Sequence, residues 1–465
     1  MFFPKVFQEI IEAVETTDSA LRQRCYFLDG PGGTGKTYLY NTLMSYLRGK
    51  KKIVLPFATT GIAADLLKGG RTVHSGFKLP IPINETSISN MKPHSVESNA
   101  LREAALIIID EAAMLMCHAL RCINILLQEV MGNKTPFGGK VLILGGDFRQ
   151  TLPVVPRGGK ADIIAASIKS SPLWRHFKVM KLSTNMRSKG QDEFNEWLLK
   201  IGDGKLSSGD DNLADDNVNI PLTFVEDKNI ISAIYGSSIN EHDVEGLSMK
   251  IIVTCKNKDA LALNNKIIDL LPTNVKIYKS ADSIITDNPE NHNTYPIEFL
   301  NAQTPSGMPP HILHLKSGGL IMLIRNLNAK KGLCNGTRLI VKELYTNFIK
   351  AEILTGTRKG DVVFLPRINI APTDTDLPFT LKRRQFPIIP AFVITINKAQ
   401  GQSFNNVGIY LKEPVFSHGQ LYVALTRTRY KENLKIYIQD GEAQGHLSNN
   451  ENVYTKNVVY EEIFC

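Results

Sequence analysis

Cysteine is scarce, with six residues in 465. Cys25, Cys117, Cys122, Cys255, Cys334 and Cys465 are scattered, and no two stand in CxxC spacing, which argues against a zinc site. This usage fits a reducing compartment. Cys117 and Cys122 fall in a helix-like apolar segment, where buried thiols are expected. Long hydrophobic runs are missing: none reaches about 18 residues, so no membrane-spanning helix is expected. The opening Met1-Phe2-Phe3-Pro4 soon meets Gln8 and Glu9, unlike a signal peptide. Repeats and low-complexity tracts are absent. Acidic residues are outnumbered, 45 against 54 basic ones, for a net charge of +9. That balance fits a polyanionic partner such as nucleic acid, although many soluble proteins share it.

What is there fits a globular protein of about three domains on length alone, with 43% hydrophobic and 21% charged residues. The most informative stretch is Gly30-Pro31-Gly32-Gly33-Thr34-Gly35-Lys36-Thr37. It follows the apolar run Tyr26–Leu28 and precedes a helix-like run from Tyr38 to Leu47. Glycines in such a strand–loop–helix setting let successive backbone N–H groups turn inward around a phosphate chain. Lys36 is then placed against β- and γ-phosphates, and the Thr37 hydroxyl against Mg²⁺.

Residues 1–185 alternate strand-like and helix-like segments. The strands are expected at Tyr26–Leu28, Ile53–Phe57, Leu106–Ile109, Val141–Leu144 and Val179–Leu182, an α/β pattern with a parallel sheet. Gly202–Asn219 reads as a solvated loop. A second α/β unit begins near Ile251–Cys255 and the helix-like Lys258–Leu271. Short β-like runs at Leu320–Ile324, Thr337–Val341, Lys350–Leu354 and Asp361–Leu365 predict a small all-β insert. Ala391–Ile396 and Leu434–Ile438 return to strand patterns.

Further motifs end apolar runs in polar tips. Ile107-Ile108-Ile109-Asp110-Glu111 supplies one carboxylate suited to Mg²⁺ (Asp110) and one suited to activating water (Glu111). An acidic strand end alone would say little; downstream of a P-loop it gains meaning. The strand before Asp147-Phe148-Arg149-Gln150 places Gln150 beyond a carboxyl end, where ligands sit in open α/β sheets; without the other motifs it would be an ordinary surface glutamine. Arg187 and Arg427 each follow an apolar stretch, and guanidinium groups pair with phosphate oxygens. Lys382-Arg383-Arg384 is expected to be a solvated basic turn rather than a phosphate contact.

Taken together, these phrases resemble superfamily-one DNA helicases, and within them the Pif-type 5′-to-3′ helicases, especially the helicase region of Helitron-type mobile elements. GPGGTGKT (from Gly30), ATTGIAADLL (from Ala58), GGRTVHS (from Gly69), IIIDEAAM (from Ile107), LGGDFRQTLPV (from Leu144), NMRS (from Asn185), GLCNGTRLIV (from Gly332), TINKAQGQSF (from Thr395) and GQLYVALTRTR (from Gly419) carry the resemblance over nearly the whole chain. It implies an α/β fold of two RecA-like P-loop NTPase domains with parallel sheets, plus a small SH3-like β-barrel insert. The first RecA-like domain would be residues 1–185 with an accessory insert at about 76–100. The second would be 186–312 and 387–465, and the β insert 313–386.

The same resemblance implies an ATP-dependent DNA helicase moving 5′ to 3′, with ATP as substrate and Mg²⁺ as cofactor. Its hydrolysis set would be Lys36, Thr37, Asp110, Glu111, Gln150, Arg187 and Arg427, with Gly401 also on the nucleotide. Its DNA contacts would be Thr59, Thr60, His74, Ser75, Lys398 and Gln400. His74 and the nearby Phe77 offer rings for stacking on bases, though Phe77 suits core packing equally well. Single-stranded and 5′-tailed duplex DNA are the implied partners, a monomer the implied state, and the nucleus, or the mitochondrion in some members, the implied compartment. Roles in repair, recombination, telomere maintenance or Helitron transposition come with the family.

The chain also departs from its relatives. Gln8 falls on a different position from the family's adenine-reading glutamine, as in a piece cut from a longer protein. Ser188 follows Arg187 where many relatives carry glutamine. No His-x-His cluster of the replication-initiator nuclease type is present. A DNA-stimulated ATPase that does not separate duplexes, or a DNA-binding relic of a mobile element, are the competing readings.

Overall fold

The computed structural model describes residues 3–16, 23–188, 190–206, 208–209, 213–240, 243–285, 295–328, 331–372, 377–447 and 451–464. Cys465 and parts of the expected loop Gly202–Asn219 lie outside them. Contacts group the chain into two compact units. One comprises Met1–Val225, Ala399–Asn405 and Leu411–Cys465, and the other Glu226–Lys398 and Asn406–Tyr410. Residues 186–225, 399–405 and 411–465, assigned from sequence to a second domain, therefore pack with the first unit.

The first unit is built on a six-stranded parallel sheet of β1 (Cys25–Asp29), β2 (Ile53–Ala58), β3 (Arg71–Thr72), β4 (Ala104–Asp110), β5 (Leu142–Gly146) and β6 (Phe177–Lys181), in the order β3-β2-β4-β5-β1-β6. Central β4 is almost wholly buried, which is why its sequence is a continuous apolar run rather than an alternation. Asp29 pairs with Gly146, and Ala58 with Asp110, so the carboxyl ends of these strands share one edge of the sheet. Helix α1 (Phe3–Glu15) packs on α2 (Lys36–Gly49) through Phe3–Tyr38 and Phe7–Tyr46, each pair 5.5 Å between ring centroids. The buried face of α2 is Leu39, Tyr40, Leu43, Met44 and Leu47, the spacing of a helical stripe. Burying each such side chain stabilises by roughly 1.5–3 kcal/mol.

Residues 77–95 carry neither helix nor strand, and Ser95 then caps a helix, Val96–Glu103, by accepting from the Ser98 N–H at 3.2 Å. Phe77, Leu79 and Met91 anchor this segment in the core. Gly202 and Asn217–Asn219 are not loop. The first ends the helix Asp192–Gly202, and the others lie in a strand, Asn217–Ile220, paired antiparallel with Val453–Lys456. Cys122 is fully buried as expected, but Cys117 is half-exposed, because it opens the helix Cys117–Met131 rather than sitting on its inner face.

In the second unit, Lys250–Thr254 pairs in parallel with Val393–Thr395 and with Asn406–Leu411. The expected β insert is a five-stranded antiparallel sheet formed by Leu320–Leu323, Arg338–Leu344, Phe348–Ile353, Val362–Pro366 and Ile388–Pro390. The basic triplet is no solvated turn. Lys382–Arg384 lies in the strand Thr380–Gln385, and Arg383 is fully buried, gripping both carboxylate oxygens of Asp282 at 2.9 and 2.6 Å. A buried guanidinium needs its charge paired or its N–H groups satisfied, and Arg383 also donates to the carbonyls of Pro309 and Leu300.

Candidate active site

The loop after β1 is held by backbone. The Gly30 N–H donates to the Gly146 carbonyl at 3.2 Å, and the Thr34 N–H to that of Pro31 at 3.3 Å. Gly35 takes φ +87° immediately before α2, a left-handed turn that other residues rarely adopt. Lys36 folds its ammonium back over the loop and donates to the carbonyls of Gly30 and Pro31. Thr37 is half-buried in the first turn of α2.

Asp110 is buried at the tip of β4, and its Oδ1 accepts the Glu111 N–H at 2.9 Å. Burial first, and the neighbouring Glu111 carboxylate second, push the Asp110 carboxyl well above the usual range; Lys36 opposes them. Glu111 has φ +53°, a left-handed backbone for a non-glycine residue. Its carbonyl accepts from the Thr59 hydroxyl at 2.9 Å.

Both expected arginines reach this loop. A Cβ built on Gly32 would stand 3.7 Å from Arg187 Nη1 and 3.9 Å from Arg427 Nη2. Arg427 is buried, and four of the five N–H groups of a guanidinium are committed. Nε donates to Val423 O (2.8 Å), Nη1 to Gln402 O (2.9 Å) and Ala399 O (3.4 Å), and Nη2 to Thr426 Oγ1 (3.0 Å). The remaining N–H belongs to Nη2, the atom beside Gly32. Arg187 Nη1 donates to Thr426 O at 3.3 Å. Burial, and then the charge of Arg187, bring the Arg427 guanidinium down to about 10; burial and Arg429 lower Arg187. Two desolvated cations side by side are an electrostatic cost that a polyanion offsets. A cavity of about 230 Å³ opens between the loop and Ser183–Asn185, with Tyr422 and Thr426 in its wall.

Gln150 is buried with its Nε2 on Asp147 Oδ2 at 3.3 Å and its Oε1 without a partner among the described residues. Sequence reasoning missed three contributors here. Asp147, deeply buried, also accepts from the Tyr422 hydroxyl at 3.1 Å and from Arg149 Nη1 at 3.4 Å, tying the β5 tip to the helix that precedes Arg427. It lay inside a quoted motif, and a carboxylate two residues from an arginine was the available signal. Tyr40 and Tyr422 read only as apolar stripe.

Two expected DNA contacts are corrected. Phe77 is fully buried, 4.5 Å from the Phe57 ring centroid, so it is core and presents no face to a base. Gln400 is buried, takes a hydrogen bond from the Thr151 hydroxyl and donates to Glu111 Oε2 at 3.4 Å, so its amide is committed to the acidic pair rather than open to a strand. Ser75 is exposed, and His74 and Thr60 are half-buried, with the Thr60 hydroxyl capping the helix Gly61–Asp65. In the second unit Lys398 is half-buried and donates to Asn257 Oδ1 at 3.3 Å. Gly401, half-buried, has φ +77°.

Comparison with known proteins agrees with this geometry. The model described as PIF1-like helicase matches residues 4–212, and that of the DNA helicase Pif1 2B domain matches 298–344. The chain belongs to the Pif1-like helicase family. It is 26% identical over 467 residues to the ATP-dependent DNA helicase Pif1 of Psychrobacter sp. (strain PRwf-1), covering 88% of this chain and 65% of that protein. It is 28% identical over 426 residues to human ATP-dependent DNA helicase PIF1, covering 90% and 59%. The chain thus spans less than two thirds of the length of these relatives. Among solved structures, Bacteroides Pif1 bound to single-stranded DNA gives a TM-score of 0.66 at 24% identity, covering 92% of this chain and 91% of that one. Pif1 helicase from Candida albicans gives 0.62 at 24% identity, covering 94% of each. These likenesses establish the Pif1 helicase fold, with RecA-like P-loop domains.

Proposed function

We propose that the chain is an Mg-ATP-driven DNA helicase that translocates 5′ to 3′ on a single strand and unwinds duplex from a 5′ tail. The observation that carries this is the meeting of Arg187 and Arg427 at Gly32, on the loop that bears Lys36 and beside the cavity at its mouth. Lys36 binds the β- and γ-phosphates, Glu111 orients and deprotonates the attacking water, Gln150 offers its free Oε1 as an acceptor for a proton of that water, and the arginines offset charge on the transferring group. Thr37 and Asp110 are a hydroxyl and a carboxylate, and no cluster of three or more His, Cys, Asp or Glu suited to a metal occurs among the described residues. That donor set fits an ion whose other ligands are phosphate oxygens and water. Thr37 and Asp110 would hold Mg²⁺, which would supply charge neutralisation on the phosphates.

Relatives named as ATP-dependent DNA helicases, and a solved Pif1 titled as bound to single-stranded DNA, support DNA as the track. Thr59, Thr60, His74, Ser75 and Lys398 are its proposed contacts. Thr59, bonded to the Glu111 carbonyl, would join DNA contact to the catalytic base. The proposal keeps a β insert of 313–386, action as a monomer and a nuclear site of action, which rest on the resemblance; of the second motor domain implied there, 186–312 and 387–465, the segments 186–225, 399–405 and 411–465 pack with the first unit.

ATP turnover with and without single-stranded DNA, followed by strand displacement on 5′- and 3′-tailed duplexes, tests the reading. DNA-stimulated turnover abolished by Lys36→Ala, with unwinding from the 5′ tail, is expected. Displacement only from the 3′ tail overturns the polarity. Stimulated turnover without displacement favours a translocase, and an unaffected Lys36→Ala removes the hydrolysis assignment.

A further inference from the structure

Tyr40 is one helical turn beyond Lys36 on α2 and is fully buried among Leu28, Ile108 and Ile143. Its ring belongs to the core, but its hydroxyl does not. The oxygen is sealed from solvent and has no hydrogen-bond partner among the described residues. It lies against the Asp110 carboxylate and interacts with it, at an approach outside regular hydrogen-bond geometry. The space it occupies exists because position 145 on β5 is glycine: a Cβ there would collide with the Tyr40 hydroxyl and stand 3.6 Å from Asp110 Oδ1. A helix residue and a strand residue thus cooperate to hold one polar atom against the back of the β4 carboxylate.

A buried hydroxyl without a partner is destabilising, whereas phenylalanine would fill the same slot with no polar atom to satisfy. Held against Asp110 without a regular hydrogen bond, the hydroxyl adds little to the nucleotide-free protein, and its role is sought in another state. We propose that Tyr40 is a positioning residue, whose hydroxyl hydrogen-bonds to Asp110 when Mg-nucleotide is bound and fixes the carboxylate toward the ion. The proposal rests on the nucleotide-site reading above. Partners of this kind, standing behind a ligating carboxylate, typically change metal affinity by about 10- to 100-fold when removed.

The test is Tyr40→Phe, read first by binding of a fluorescent ADP analogue with Mg²⁺ and with EDTA. Affinity in EDTA should match wild type, and the gain on adding Mg²⁺ should shrink by about tenfold or more. The Mg²⁺ concentration giving half-maximal ATP turnover should rise by a similar factor, with activity recovering at high Mg²⁺. Without nucleotide, the variant should melt at the wild-type temperature or above. An unchanged Mg²⁺ dependence in Tyr40→Phe, alongside its loss in Asp110→Asn, overturns the proposal and leaves the site reading standing. A melting temperature several degrees lower without nucleotide also overturns it, since the hydroxyl would then already be bonded in the free protein. If Asp110→Asn itself keeps the full Mg²⁺ effect, the site reading falls and the proposal with it.

Discussion

Replacing Arg427 by lysine keeps a positive charge and removes the fork. In the structure that fork does two jobs at once: Nε, Nη1 and one N–H of Nη2 hold three carbonyls and the Thr426 hydroxyl, and Nη2, which carries the last N–H, lies beside the loop at Gly32. A lysine ammonium offers three donors from a single atom. It cannot hold Val423 and Gln402 while also presenting a donor to a phosphate. Arginines acting on a transferring phosphoryl group contribute about 10³–10⁵ in rate. Arg427→Lys should therefore lose about 10³-fold in kcat, close to Arg427→Ala, which corresponds to roughly 4 kcal/mol. The KM for ATP should change little, because the loss falls on the transition state. Carbonyls left unpaired should also lower stability by about 1–3 kcal/mol. Steady-state ATP turnover at saturating single-stranded DNA, run below the melting temperature of both variants, measures this. If Arg427→Lys keeps more than about a tenth of wild-type kcat, charge alone suffices and the argument from the committed donors fails.

Phe77→Ala removes a fully buried ring and should cost about 3–5 kcal/mol, seen as a lower urea midpoint; weaker DNA binding at unchanged stability would instead restore Phe77 as a stacking residue. Gln400→Ala frees the Glu111 carboxylate from its amide partner and should lower kcat by about tenfold or more, while leaving single-strand affinity within about twofold; lost affinity with intact turnover would return Gln400 to the DNA side. His418 is buried between the Phe148 carbonyl (2.7 Å) and the Tyr460 N–H (2.8 Å). Burial pulls its pKa below 6.5, outweighing the Phe148 carbonyl and Asp147, which raise it. The unfolded chain thus binds the proton more readily. Stability should be full above about pH 6.5 and fall as pH drops toward the folded-state pKa. His418→Gln should flatten that slope in urea titrations between about pH 7 and 5; an unchanged slope would place the proton elsewhere.

Strand positions in the first unit were legible because parallel strands buried on both faces read as unbroken apolar runs, and β1, β2, β4 and β5 fall within two residues of expectation. The phosphate loop and the acidic pair were legible because local geometry forces their composition. What the sequence hid were contacts made across long separations. Gln400 meets Glu111 over 289 residues, and nothing in TINKAQGQSF says which side of the chain its amide faces. Phe77 beside His74 looked like a ring on a binding loop, yet burial, which decides its role, depends on Phe57 from β2. Arg383 was disguised by its neighbours: strand alternation turns Lys382 and Arg384 outward and sends the middle cation to Asp282.

The segment 451–464 looks peripheral in a linear diagram, yet it is laced into the surroundings of the glycine loop's arginine partners. Tyr460 grips the imidazole that supports the Phe148 carbonyl, Asn457 reaches the Ile201 carbonyl, and the Gly419 N–H, at the head of the helix leading to Arg427, ends on Val458. Trimming those residues, or forcing a bulky tag against them, would loosen the struts on which both Gln150 and Arg427 stand. A shortened version could thus retain its glycine loop and lysine while idling as an engine.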